Sequence, residues 1–225
     1  MTSALACFLL SGALSTAVHP ESLELEVQKN ELVSVISILP RPGDEADGVR
    51  DRYLKRAFEL AGPFGLRPLG SFAVQAAPLG DFEPKAVSIF AWKSVEAEAA
   101  FAASKQWPPI KALRPAGWTE LRIHDASAPT ATQISFRSDR TYGLLTVWDS
   151  VALSTVERAI NNSGVRIVYR QDAPGFSALA QPGRAPALLA FVESRTLNDF
   201  SAFARSLGSH DTELLQLTPN FPKKK

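Results

Sequence analysis

A repeated segment constrains the fold of this 225-residue chain more than any other feature. Residues 84–104 read PKAVSIFAWKSVEAEAAFAAS, and residues 185–206 read APALLAFVESRTLNDFSAFARS. In both segments an apolar strand ends in a polar step and continues into a helix rich in Phe and Ala. A repeat of this size predicts two similar half-domains that pack on each other.

The secondary-structure pattern around the repeat has the same order twice. Strand-forming stretches and amphipathic helices follow one another as β-α-β-β-α-β, which is the order of the ferredoxin-like unit. We therefore predict an α+β fold with a first unit over residues 31–125 and a second over residues 141–218. The pattern predicts a linker over residues 126–140 and a basic tail over residues 219–225.

Several predicted strands are apolar on both faces, and this indicates how the units are arranged. Around Phe191, the residues Leu188 and Ala190 alternate with Leu189 and with Phe191 itself. A sheet with helices on one side and water on the other would alternate apolar and polar residues. The second face must therefore be covered, and the other unit is the obvious cover. This predicts two tandem ferredoxin-like units packed sheet to sheet as an internal pseudo-dimer.

The first residues have the features of a secretory signal peptide. Residues 1–17 are apolar and uncharged, and they end with small side chains at Ser15 and Ala17. This predicts a periplasmic or secreted protein, whose mature form would contain no cysteine because Cys7 is removed. No Lys or Arg precedes the apolar run, so a buried or frayed segment of a cytoplasmic protein is the alternative.

Composition argues against several classes of function. The net charge of +1 at pH 7 gives no basic excess that would favour nucleic acid. No later run is long and apolar enough to predict a membrane span. There is no glycine-rich phosphate loop or nucleotide fingerprint. His19, His124 and His210 do not have the spacing of metal ligands, so we predict neither a metal nor another cofactor.

The stretch at residues 87–107, VSIFAWKSVEAEAAFAASKQW, carries a resemblance to a known family. It is similar to a signature of small uncharacterised proteins in the dimeric α/β-barrel superfamily. The resemblance in architecture extends over about residues 31–218 and implies two ferredoxin-like units, joined as a homodimer or fused in one chain. The superfamily includes cofactor-independent monooxygenases, muconolactone isomerase-like enzymes and haem-dependent chlorite dismutases. The resemblance thus implies a fold, with a pocket between a sheet and its own helices, and not one reaction.

Four residues of the first unit are candidates for a site. His124 ends a predicted strand on the same face as Trp118, where it would act as a general base or as a haem ligand. The alternative is a hydrogen-bonded histidine at the end of a strand. Tyr53 lies on the inward face of a helix, and Trp107 precedes a rigid Pro-Pro turn. We predict that Tyr53, Trp107 and Trp118 contact a ligand, with core packing as the alternative.

Three functions remain open from the sequence. The first is a small-molecule-binding protein or a cofactor-free enzyme of the monooxygenase or isomerase type, acting on a small apolar or aromatic ligand. The second is a non-catalytic module for assembly or for contact with a partner protein. The third is a haem-binding protein. We predict either a monomer, in which the two units form the pseudo-dimer, or a homodimer of the whole chain.

Overall fold

The computed structural model of the protein describes residues 20–176, 184–208 and 211–222. The predicted signal peptide, His19, His210 and the three terminal lysines lie outside these ranges, so the predictions about export and about the lysines stay predictions. Within the described ranges, no helix has both the length and the apolar character needed to cross a membrane.

The first part of the chain builds four neighbouring strands of an antiparallel sheet. Its elements are β1 (Ser22–Val27), β2 (Leu32–Pro40), α1 (Asp44–Ala61), β3 (Arg67–Leu79), β4 (Ala86–Trp92), α2 (Val95–Ala102), α3 (Trp107–Lys111), α4 (Arg114–Gly117) and β5 (Trp118–Ser127). The strands lie in the order β5-β2-β4-β3, which is the order expected for a split βαβ unit.

The second part of the chain repeats that order. Its elements are β6 (Thr132–Arg137), β7 (Thr141–Val147), α5 (Leu153–Ser163), β8 (Arg166–Asp172), β9 (Gly175–Phe176), β10 (Leu188–Ser194), α6 (Leu197–Leu207) and β11 (Thr212–Pro219). The strand order here is β11-β7-β10-β8. The outer strands β3 and β11 pair with each other, so the two parts share one nine-stranded sheet rather than forming two separate sheets.

The sheet curls until its two ends approach each other. The short strand β9, which follows β8 in the chain, pairs with β5 at the opposite end of the strand order. The amide nitrogen Nε2 of Gln171 in β8 donates to the carbonyl oxygen of Val33 in β2 at 3.1 Å. Across the interior, the ring centroids of Phe72 in β3 and Phe191 in β10 are 5.3 Å apart. The two halves of the sheet therefore face each other around a common core.

A two-stranded ribbon of β1 and β6 adds to this interior. Both strands bury alternate residues, and Leu23, Leu25, Ile134 and Phe136 join the core cluster of the curled sheet. The Phe136 ring lies 4.8 Å from that of Phe72. Residues 126–140, which were predicted as the linker, contain β6, because the alternating pattern at residues 132–137 gives that strand one apolar face.

The helices cover the outer face of the sheet in two groups. In the second part, α5 and α6 pack on β7 and β10 through side chains such as Val156, Phe200 and Phe203. In the first part, α1, α2 and α3 pack on β2, β4 and β5 around Tyr53, Phe101 and Trp107. The packing in the first part leaves a cavity.

Candidate functional site

The cavity lies between α1 and the outer face of β2, β4 and β5, and its volume is about 380 Å³. Its walls are mainly apolar, with Ile36, Ile38, Phe90 and Leu121 from the sheet. Leu54 on α1 also lines it and is 41% exposed, which marks where the cavity reaches the surface. Small-molecule sites in proteins occupy roughly 300–1,000 Å³, so this cavity suits a compact ligand.

Strand alternation and one small helix residue create this space. Because side chains alternate along a strand, β2 sends Ile36 and Ile38 into the cavity while Val33 and Val35 enter the interior of the curled sheet. On α1, Ala57 faces the sheet one turn after Tyr53. A larger side chain at position 57 would fill part of the cavity.

Tyr53 and Arg114 form the main polar pair of the cavity. Arg114 opens α4, and its Nε and Nη2 atoms donate to the Tyr53 hydroxyl oxygen at 2.9 and 2.7 Å. Burial raises the pKa of Tyr53, although the charge and the hydrogen bond of Arg114 act in the opposite direction. Tyr53 therefore stays a neutral phenol at physiological pH. Since its oxygen accepts from Arg114, its own hydrogen remains to be donated to another acceptor.

Aromatic rings surround this polar pair. The Tyr53 ring lies 4.9 Å from Trp118 and 6.2 Å from Trp107, both edge to face. The guanidinium carbon of Arg114 is 5.0 Å from the Trp107 ring centroid. All three residues predicted to contact a ligand, Tyr53, Trp107 and Trp118, thus line one cavity. That they bind a ligand stays a prediction.

Two residues that line the cavity, one of them Trp118, carry buried polar atoms without a hydrogen-bond partner. They are the hydroxyl oxygen of Ser34 and the indole nitrogen Nε1 of Trp118. Ser34 is 1% exposed and Trp118 is 5% exposed. Leaving such a group unsatisfied costs about 1–3 kcal/mol, so it is unusual in a protein interior. Both residues line the cavity, although the two atoms themselves have almost no accessible surface.

His124 lies on the other face of the sheet from this cavity. It pairs across β2 with Val35, an interior residue, whereas Ile123 pairs with Ile36 on the cavity side. The register shifts by one residue near the start of β5, where Thr119 is extra, and this bulge turns Trp118 to the cavity face. The prediction that His124 and Trp118 share a face was therefore wrong, because the bulge breaks the alternation.

His124 is buried, and the charged side chain of Arg122 lies near it. The imidazole is 6% exposed, and its ring packs edge to face on Trp148 at 5.7 Å. Burial and, to a smaller extent, the charge of Arg122 lower the pKa of His124 to about 4. The Arg122 guanidinium is itself held by Glu213 at 2.9 Å and by Glu120 at 2.5 Å. His124 is thus a neutral, packed residue at physiological pH, and the geometry does not associate it with the cavity.

The lining of the cavity limits the chemistry it can perform. Among the described residues, no histidine, cysteine or methionine lines it, and Asp51 is its only carboxylate. Asp51 is exposed at the mouth. Tyr53 is then the only side chain there of a type that binds haem iron, and its raised pKa disfavours the phenolate that such binding requires. These residues do not fit a haem.

Sequence reasoning missed Arg114 and Ser34. Arg114 lies in a stretch, Leu113 to Gly117, that reads as a loop, and only the fold brings it to α1. Ser34 lies in β2, whose one other polar residue, Ser37, is on the opposite face. A lone polar residue on the helix-facing side of that strand was the one signal that could have identified it.

No protein-family model matches the sequence, and no curated protein matches it. Solved structures do match. An anthrone oxidase-like protein aligns with a TM-score of 0.48 at 9% identity, over 88% of this chain and 96% of that chain. A chlorite dismutase mutant from Candidatus Nitrospira defluvii aligns with a TM-score of 0.43 at 10% identity, over 86% of this chain and 93% of that chain.

A third structure, a protein provisionally assigned as a monooxygenase from Lactobacillus acidophilus, aligns with a TM-score of 0.38 at 11% identity, over 85% of this chain and 94% of that chain. At such identities and TM-scores, the similarity gives no information about function.

Proposed function

We propose that this protein binds a compact, mainly apolar small molecule that carries an acceptor oxygen, in the cavity beneath α1. The observation that carries this proposal is the set of donors in an apolar wall. Trp118 has a buried indole N–H without a partner, and the Tyr53 hydroxyl beside it has a hydrogen to donate. Because an indole N–H can only donate, the complementary group on the ligand is an acceptor.

Catalysis without a cofactor is the second candidate, and the Tyr53–Arg114 pair favours it. A neutral phenol supported by a guanidinium would stabilise negative charge developing on an oxygen of the bound molecule, as a reaction of the isomerase or monooxygenase type requires. Such a reaction also needs a base, and among the described residues that line the cavity the one carboxylate is the exposed Asp51. Binding alone therefore accounts better for the geometry.

We also propose that the chain is a fused pair of ferredoxin-like units, equivalent to a dimer of single-unit proteins. The repeated strand order and the β3–β11 pairing support this. The cavity described above belongs to the first unit. In the second unit, the space between helices and sheet is occupied by Phe200, Phe203 and Leu207, each at most 5% exposed. The second unit would then serve as the structural partner of the first.

Native mass spectrometry of the purified protein tests the binding proposal. We expect a retained small molecule that appears as added mass under native conditions and is lost on denaturation. The variant Ala57→Trp, which places an indole in the cavity, is expected to abolish the added mass. The matched control Ala202→Trp, at an exposed position on α6, should retain it. A protein that carries no ligand and binds no apolar probe in titrations would rule the proposal out.

A further inference from the structure

The charge and hydrogen-bond donors of the cavity indicate a narrower class of ligand. Resting on the proposed function, we infer that the cavity binds an apolar monocarboxylic acid, with the carboxylate at Tyr53 and Arg114 and the hydrocarbon part against the sheet. Three independent features carry this inference: the sign of the charges that line the cavity, the direction of its hydrogen bonds, and the separation of its polar and apolar parts.

The charged residues lining the cavity are mainly basic. In the described part of the chain they are Arg50, Lys85 and Arg114, against the single acidic residue Asp51. Arg50 forms an ion pair with Asp47. The pKa of Lys111, in the neighbouring helix α3, is lowered by burial and by the charge of Arg114. A site with this excess attracts an anion.

The polar atoms of the interior are arranged as donors. The Tyr53 oxygen accepts from Nε and Nη2 of Arg114, so the phenol is polarised and its hydrogen is directed to a further acceptor. Trp118 adds an N–H that can only donate. A carboxylate presents two oxygens that only accept, and its hydrogen bonds are stronger than those of a neutral carbonyl. A neutral acceptor would satisfy the same donors with weaker hydrogen bonds.

The polar and apolar parts of the cavity are separated in space. Tyr53, Arg114 and Trp118 lie together. The ring centroids of Tyr53 and Trp118 are 4.9 Å apart, and Arg114 donates to the Tyr53 hydroxyl oxygen at 2.7 and 2.9 Å. Hydrocarbon side chains, among them Ile36, Phe90 and Leu66, form most of the remaining walls. This amphipathic lining matches a molecule with one anionic end and a compact apolar body.

Isothermal titration at neutral pH with three probes of equal size tests the inference. The probes are 2-naphthoic acid, the neutral 2-naphthamide and the cationic 2-naphthylmethylamine. We expect the acid to bind about tenfold more tightly than the amide, since a charged hydrogen bond contributes about 1–1.5 kcal/mol more than a neutral one. The amine should bind most weakly. The variant Arg114→Gln should remove the preference for the acid, whereas the control Arg158→Gln, on α5, should keep it.

The outcomes separate this inference from the proposed function. If the amide binds as tightly as the acid, or if Arg114→Gln leaves their ratio unchanged, the carboxylate assignment is wrong while the binding function stands. If none of the three probes binds, both are wrong. Should Arg114→Gln fail to fold, Tyr53→Phe and Arg114→Lys replace it, because each weakens the carboxylate contact with a smaller change. A lower acid-to-amide ratio in both would support the inference, and an unchanged ratio in both would overturn it.

Discussion

At the residue scale, one hydroxyl group connects two helices. The Tyr53 oxygen on α1 accepts two hydrogen bonds from Arg114 on α4, and the Arg114 guanidinium lies within 5.4 Å of the Tyr53 ring centroid. Hydrogen bonds from a charged donor contribute more than those between neutral groups. The hydroxyl therefore serves the fold as well as the cavity, and its removal affects both.

Replacing Tyr53 with Phe is expected to destabilise the protein by about 2 kcal/mol, because two donor atoms of a charged, partly buried group lose their acceptor. The matched control is Tyr169→Phe. Its hydroxyl accepts from Gln171 Nε2 at 3.2 Å, and that nitrogen keeps its bond to the Val33 carbonyl, so we expect a loss of about 1 kcal/mol or less. Urea unfolding followed by circular dichroism measures both. A smaller loss for Tyr53→Phe than for Tyr169→Phe would contradict this account.

His124 makes stability depend on pH. Its pKa is about 4 in the folded protein and 6.5 in a model compound, so the unfolded chain takes up a proton that the folded protein excludes. The free energy of unfolding should therefore decrease as the pH falls from about 6.5 to about 4, by about 3 kcal/mol in full. Above pH 6.5 both states are neutral and the effect vanishes.

The variant His124→Gln tests this contribution through the free energies of unfolding at pH 7.0 and pH 4.5. Carboxylates that titrate in the same range are common to both proteins, so the difference between them isolates His124. We expect the variant to lose about 2 kcal/mol less than the natural protein over this interval. Parallel pH curves would show that His124 titrates normally in the folded state.

The sequence predicted part of the site, and the missing part has physical causes. Tyr53 could be placed because helix periodicity is a local signal. The rigid Pro-Pro turn predicted after Trp107 is instead part of α3, although Trp107 still lines the cavity. His124 and Trp118 could not be separated, because the extra residue Thr119 in β5 leaves no mark in a pattern of period two. Arg114 was missed because its partner lies 61 positions away in the chain.

At the element scale, the strands and helices of the two repeats were largely predictable. Strand β4 and helix α6 lie in the two repeated segments, where a strand followed by a helix was predicted. The β1–β6 ribbon was missed, although Leu23, Leu25 and Val27 alternate with polar residues in β1. Its partner strand lies more than a hundred residues away, so neither strand is recognisable from a hairpin turn.

Close packing of α6 on β7 depends on one glycine. A Cβ atom on Gly143 would lie 2.6 Å from Cε2 of Phe200 and 2.9 Å from the backbone oxygen of Leu215. Since the backbone oxygen belongs to the neighbouring strand β11, it cannot move aside without disturbing the sheet. Gly143 thus lets the helix approach the sheet closely enough to bury Phe200.

Gly143→Ala is expected to destabilise the protein by about 2–3 kcal/mol through this overpacking. The control Gly48→Ala lies inside α1, where the added Cβ meets only the end of Arg52 at 3.6 Å. There alanine should stabilise the helix by up to about 1 kcal/mol. Differential scanning calorimetry should therefore show opposite shifts of the melting temperature for the two variants. Equal shifts of the melting temperature in Gly143→Ala and Gly48→Ala would mean that the contact between β7 and α6 tolerates a methyl group.

At the scale of the whole molecule, the interior of the curled sheet belongs to both halves of the chain. Phe72 from the first half, Phe191 from the second and Phe136 from the ribbon form one aromatic group, with ring centroids 4.8 to 5.9 Å apart. The β3–β11 pairing joins the same halves through the backbone. Neither half can bury its inner sheet face alone, so the chain should unfold as one cooperative unit.

Phe191→Ala tests this cooperativity, because the residue lies in β10 and is fully buried. The loss should be about 3–5 kcal/mol, the usual cost of a cavity left by a buried phenylalanine. Hydrogen exchange gives the free energy of opening at each amide. If the halves unfold together, this free energy should decrease by the same amount at Ile89 in β4, in the first half, as at amides in β10. Val151→Ala, at a position 81% exposed, is the control and should leave hydrogen exchange unchanged in both β4 and β10. Faster exchange in β10 with unchanged protection in β4 would show instead that the halves unfold independently, and that the shared aromatic interior does not couple them.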